Sequence, residues 1–207
     1  MKEKVFFKEF KGKNYHKGGI MLLGESHICG TCKCDECLIS KNKRCIDGHC
    51  SLVREQILKG SISTYSRFEK QFTGAIIKDK KSRMLFWQQF LFTNFLSIAM
   101  PKSGKAPAKK FYTQDCRNRF VNLVKKYQPS YIIIWGNRTW NNLPGDIKSG
   151  MWKKELISKY KGFEIWELMI ERTNSVRVLK IHHPAYRKMT SELFMLWKLR
   201  IDYLLQQ

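Results

Sequence analysis

Tyr131-Ile132-Ile133-Ile134-Trp135-Gly136 (YIIIWG) decides the fold. It is an unbroken apolar run, rich in β-branched side chains and closed by glycine. A strand with one wet face alternates polar and apolar residues. A continuous apolar strand must be covered on both faces, as in a parallel sheet flanked by helices. Three further segments read the same way: Ile20 to Gly24, Phe90 to Ile98 and Val176 to Ile181.

Helical patterns separate these strands. CRNRFVNLVKKYQP puts Phe120, Leu123, Val124 and Tyr127 on one face, with Asp115 as the N-cap and Pro129 as the stop. TSELFMLWKLRIDYLLQ predicts a C-terminal helix capped by Thr190 or Ser191. Helices are also expected around Leu52 to Leu58 and Tyr65 to Ile77. FEIWELMI (Phe163 to Ile170) adds an extra strand on an edge, and MPKSGKAPAKK (Met100 to Lys110) reads as a basic loop. This βα alternation predicts an α/β fold, a three-layer α/β/α sandwich with a central, mainly parallel four-stranded sheet. One domain is expected over residues 1–207, interrupted by a Cys-rich metal-binding insertion at 28–51.

Sites in such folds gather beyond the carboxyl ends of the strands. Gly24-Glu25-Ser26-His27 offers a carboxylate, a hydroxyl and an imidazole there, and Glu25 or His27 can take a proton from water. The bland alternative is a capped turn. In HHPAYRK, Pro184 restricts His183 to extended geometry, where its ring can stabilise charge on a leaving group. A structural His-Pro turn is the alternative. Asn94, inside FLFTNFLS, must be paired if buried, and its amide suits a pyrimidine edge. WGNRTWNN brings Trp135, Asn137 and Arg138 to the same sheet edge.

Six of the seven cysteines fall between Cys29 and Cys50. Their spacing, Cys29-x2-Cys32-x-Cys34-x2-Cys37-x7-Cys45-x3-His49-Cys50, lets pairs of thiolates meet one ion. A structural zinc site of one or two ions is expected, in preference to an iron–sulfur cluster, because short knuckles and a histidine suit tetrahedral zinc. A thiolate-rich closed shell leaves no open position for catalysis.

Lys and Arg number 39 against 17 Asp and Glu, a net charge of +22. Such a surplus implies a polyanionic partner, and basic residues interleave with aromatics in KKFYTQDCRNRF and HHPAYRKMT. No apolar run approaches the roughly 18 residues that span a bilayer, and the N-terminus lacks a signal-peptide core. A monomeric cytoplasmic protein that binds DNA, and no membrane, is expected.

Taken in order, these segments resemble the uracil-DNA glycosylase superfamily. LLGESH is similar to the Gly-Glu form of its first motif, and HHPAYRK to its His-Pro-Ala motif. FLFTNFLS takes the place of its Asn-bearing strand, and YIIIWGNRTW that of its strand-plus-Gly segment. The resemblance spans Ile20 to Lys188 and implies base flipping followed by hydrolysis of the N-glycosidic bond. It implies that His183 stabilises the departing base and that Gly24, Asn94, Trp135, Asn137 and Tyr186 line the substrate site. Glu25, Ser26 and His27 fall on the water-activating turn, and Arg138, Arg187 and Lys188 on the DNA. Ser26 stands where the family has Asp or Asn, and His27 replaces a proline. The base is therefore Glu25 or His27, or the DNA phosphates themselves stabilise the oxocarbenium. The substrate implied is uracil-like or a bulkier modified pyrimidine, as in phage DNA, with a role in repair or defence. The alternatives are an inactive DNA-binding module of the same fold and, less favoured, an enzyme acting on free nucleotides.

Overall fold

The computed structural model describes residues 8–29, 48–96, 99–101, 109–146, 148–157, 163–170, 174–186 and 188–206. Nine strands are described. They are β1 (Phe10–Lys11), β2 (Ile20–Gly24), β3 (His27–Cys29), β4 (Phe90–Asn94), β5 (Ala99–Pro101), β6 (Tyr131–Trp135), β7 (Trp152–Ile157), β8 (Phe163–Ile170) and β9 (Asn174–Ile181). Six helices accompany them. They are α1 (Gly48–Lys59), α2 (Ser63–Thr73), α3 (Lys80–Trp87), α4 (Gln114–Tyr127), α5 (Asn137–Asn141) and α6 (Ser191–Gln206).

The protein is mixed α/β, and its main sheet has seven strands in the order β1-β4-β2-β6-β9-β8-β7, not four. The four strands read from sequence, β4, β2, β6 and β9, are consecutive and mutually parallel. β1 adds antiparallel to β4, while β8 and β7 add antiparallel beyond β9. FEIWELMI is therefore an interior strand, because WKKELI covers its outer edge. The polar residues of WKKELI disguise it in sequence: Lys153, Lys154 and Glu155 are exposed. β3 and β5 form a separate two-stranded parallel sheet, so part of the expected basic loop is strand.

Alternate residues of the parallel strands feed two cores. On one face Leu22, Phe92, Ile133 and Leu179 pack against α1, α2, α3 and α6 through Val53, Phe68, Trp87 and Ile201. On the other, Met21, Leu91, Ile132 and Val178 pack against α4 through Phe120, Leu123 and Val124. Unbroken apolar strands follow from this, since both faces bury side chains.

Helix ends differ from expectation for local reasons. α2 stops at Thr73 because Gly74 turns left-handed, with φ 85°. The N-cap of α4 is Thr113, and Asp115 lies in the first turn. Thr190 does cap α6, accepting the Leu193 N–H at 3.2 Å. α3 is an addition, started by Asp79, whose side chain accepts the Ser82 N–H at 2.8 Å. β4 ends at Asn94, where Phe95 and Leu96 turn to donate to the carbonyls of Gly24 and Glu25, both at 2.9 Å. No helix among the described residues is long and apolar enough to cross a membrane.

Candidate active site

The carboxyl ends of β2, β4, β6 and β9 meet at one sheet edge. Gly24 pairs with Asn94 across β2 and β4. A Cβ at Gly24 would sit 2.2 Å from Asn94 Oδ1, so glycine makes room for that amide. Asn94 is buried, and Arg119 of α4 holds the strand end, donating to the Asn94 carbonyl at 3.1 Å and to Thr93 Oγ1 at 3.0 Å.

Glu25 follows, only 7% exposed. Arg138 grips it with two parallel bonds, Nε to Oε1 at 2.6 Å and Nη2 to Oε2 at 2.7 Å. The Tyr112 hydroxyl donates to Oε1 at 2.5 Å. Burial alone would raise the Glu25 carboxyl, but the bonds from Arg138 and Tyr112 and the Arg138 charge hold it below the usual range. Burial and the bond to Glu25 also push Tyr112 well above the usual phenol value, so its hydroxyl stays a donor. Glu25 is thus a fixed, ionised carboxylate with both oxygens engaged.

His183 sits on the turn after β9. Its Nδ1 accepts the Ala185 N–H at 3.1 Å, and its carbonyl accepts the Tyr186 N–H at 2.8 Å. Burial, with the Arg138 charge in support, pushes the imidazole below its ordinary value, and Glu25 opposes this only in part. The ring is neutral, and because Nδ1 is an acceptor its proton resides on Nε2. Trp135 stands edge-on beneath it at 6.2 Å. Gly136, at φ 90°, supplies the turn between them; a Cβ there would lie 3.3 Å from His183 Cβ. Gln71 of α2 braces the same turn, donating to the His182 carbonyl at 3.3 Å.

Glu25, Arg138 and His183 come together as residues of one electrostatic group, with Gly24 and Asn94 beside Glu25. Arg138, expected on DNA, is committed to Glu25. Trp135, expected to contact substrate, is 2% exposed and belongs to the core, where its indole N–H has no partner among the described residues. Ser26 is half-buried on its turn. Asn137 lines a different cavity, and Tyr186, 41% exposed, packs its ring at a tilt against His182, centroids 5.0 Å apart. Lys188 is exposed, and Arg187 lies outside the described residues.

His27 and Cys29 belong to β3, and His49 and Cys50 to the start of α1. Cys32, Cys34, Cys37 and Cys45 lie outside the described residues, as does most of the expected insertion. Among the described residues no group of three His, Cys, Asp or Glu side chains gathers. Cys116 is buried, donating to the Phe111 carbonyl at 3.6 Å.

Sequence reasoning missed Tyr112, Arg119 and Gln71. Only the run of aromatics among basic residues, KKFYTQDC, hinted at Tyr112; nothing in the sequence marks the other two. No protein-family model and no curated protein matches this chain.

Proposed function

We propose that the protein is a monomeric DNA glycosylase, built on a three-layer α/β/α sandwich, that hydrolyses the bond between a uracil-like or modified pyrimidine base and its sugar. One observation carries the reading: a neutral His183, its proton on Nε2, shares the sheet edge with an ionised Glu25. Water adds to C1′, the electron pair of the C1′–N bond leaves with the base, and the proton that the water loses ends on the departing base anion. The developing base anion accepts a hydrogen bond from His183 Nε2, and the cationic sugar is stabilised by the Glu25 charge and the DNA phosphates. The depressed Glu25 carboxyl favours this electrostatic role over proton abstraction. Asn94 reads the base edge. The parallel order β4-β2-β6-β9, helices on both sheet faces and the +22 charge support the same reading.

The cysteine segment fits structural zinc by its donor set of thiolates with one imidazole, between a strand that Cys29 closes and a helix that holds His49 and Cys50. Bound zinc would cross-link that segment and take no part in the chemistry.

The test is incubation with DNA containing uracil, hypoxanthine or modified pyrimidines, scored for alkali-labile abasic sites. His183→Ala should reduce base release about 10²–10³-fold while leaving the fold intact. No release across the panel from folded, metal-replete protein overturns the proposal. A second reading, a DNA-binding module without catalysis, is favoured by the engagement of both Glu25 oxygens. It requires salt-sensitive DNA binding that His183→Ala leaves unchanged.

A further inference from the structure

The turn that carries His183 is held at three successive carbonyls, each by a different part of the chain. Gly136 donates its N–H to the Ile181 carbonyl at 2.9 Å, Gln71 its side-chain amide to the His182 carbonyl at 3.3 Å, and Tyr186 its N–H to the His183 carbonyl at 2.8 Å. The first comes from the β6–α5 junction and the last from the turn itself. The middle one comes from α2, 111 residues earlier in the chain. Of the three it alone is made by a side chain, so a substitution can remove it and leave the backbone intact.

Gln71 is fully buried, and its amide is satisfied at one end. Nε2 donates to His182, while Oε1 has no partner among the described residues. Turned over, the amide would set Oε1 against the His182 carbonyl and lose its one bond, so its orientation is forced. A buried acceptor without a donor is costly, and an apolar side chain of similar length would avoid that cost. The amide is therefore poor packing material and a specific donor. α2 presents it from a fixed last turn. Thr73 Oγ1 donates to the Glu69 carbonyl at 2.8 Å and accepts the Ala75 N–H at 3.2 Å, and Lys70 lies 4.5 Å over the Phe194 ring of α6.

We propose that Gln71 is a positioning residue: its buried amide ties α2 to the His182 carbonyl and so fixes the turn that aims the His183 Nε2–H at the departing base. The proposal rests on the reading of His183 as the donor to that base. Within the turn, His183 Nδ1 is anchored by the Ala185 N–H at 3.1 Å. A shift at His182 loosens that bond, and the ring then loses both its direction and its single tautomer. A donor to developing charge works by being oriented in advance, so loss of the Gln71 bond is felt in turnover and not in substrate affinity.

Gln71→Met, made in the full-length, metal-replete protein, nearly keeps the length and volume of the side chain and removes the amide. It also removes the unpaired oxygen, so stability in urea should stay close to wild type. On whichever DNA of the panel the wild type cleaves, kcat should fall about tenfold, the worth of one hydrogen bond, with KM unchanged. The imidazole nitrogen resonances of His183, assigned with His183→Ala, should pass from one Nε2–H tautomer in wild type to an averaged pair in the variant. Thr73→Val takes a hydroxyl from the same helical turn without touching His182, and should leave both readouts at wild type. Unchanged His183 resonances, unchanged kcat, an equal effect from Thr73→Val, or a Gln71→Met that unfolds each overturn the proposal. A wild type that releases no base overturns the reading of His183 as a catalyst, and the imidazole resonances then still decide whether Gln71 positions the ring.

Discussion

Glu25 and Glu69 are both carboxylates withdrawn from water, 7% and 0% exposed, and their carboxyls shift in opposite directions. Glu25 at the sheet edge meets a guanidinium and a phenol. Glu69, on α2 in the helical core, meets neutral donors: Gln56 Nε2 of α1 and Trp87 Nε1 of α3, each at 2.8 Å to Oε1. For Glu69 burial is the largest influence, and those bonds together with the Arg83 charge do not offset it, so its carboxyl is raised. Its Oε2 has no partner among the described residues. Burial is common to both, and the partner's charge decides the outcome. The core uses a carboxyl whose neutral form is favoured by burial as a clip joining three helices; the candidate active site favours the charged form.

The comparison breaks most visibly at Glu69. Glu69→Ala leaves the Gln56 and Trp87 donors unpaired, and should cost about 2–5 kcal/mol in urea denaturation. Arg138→Met removes the charge that distinguishes the two sites. The Glu25 carboxyl should then rise above its ordinary range, as burial takes over, with a loss of about 1–3 kcal/mol at neutral pH. NMR titration of the carboxyl checks the direction, and a Glu25 that still titrates low would refute it. Tyr112→Phe is milder, about 1–2 kcal/mol, with a smaller upward move of the same carboxyl.

The smallest change is the sharpest test of sign. Glu69 has a raised folded-state pKa, so its contribution is present below the ordinary value of 4.5 and is lost as pH rises through the folded one. Glu69→Gln should cost under about 1 kcal/mol at low pH and remove that decline. Glu25 runs the other way: its contribution is present above 4.5 and lost as pH falls through its depressed value. Stability curves from acid to neutral pH should therefore separate the two carboxylates by slope.

Much of the fold is legible because local chemistry carries it. YIIIWG, IMLLG and the start of FLFTNFLS announce strands covered on both faces, and Phe120, Leu123 and Val124 announce the face of α4. β7 escapes notice because it is an edge strand with exposed lysines. α3 escapes because an eight-residue helix shows too few turns to display a period. Of the site, Glu25 and His183 are legible as polar residues at strand ends, and their states are not.

By itself the sequence determined the parallel strands and the helices over them, because apolar periodicity is a local property that burial must satisfy. It also determined the positive charge and the clustering of the cysteines. Only the tertiary structure decided that Arg138, 113 residues from Glu25, and Tyr112, 87 residues from it, would hold that carboxylate ionised. A protonation state depends on which charges fold to within a few ångströms, and sequence separation does not encode that distance.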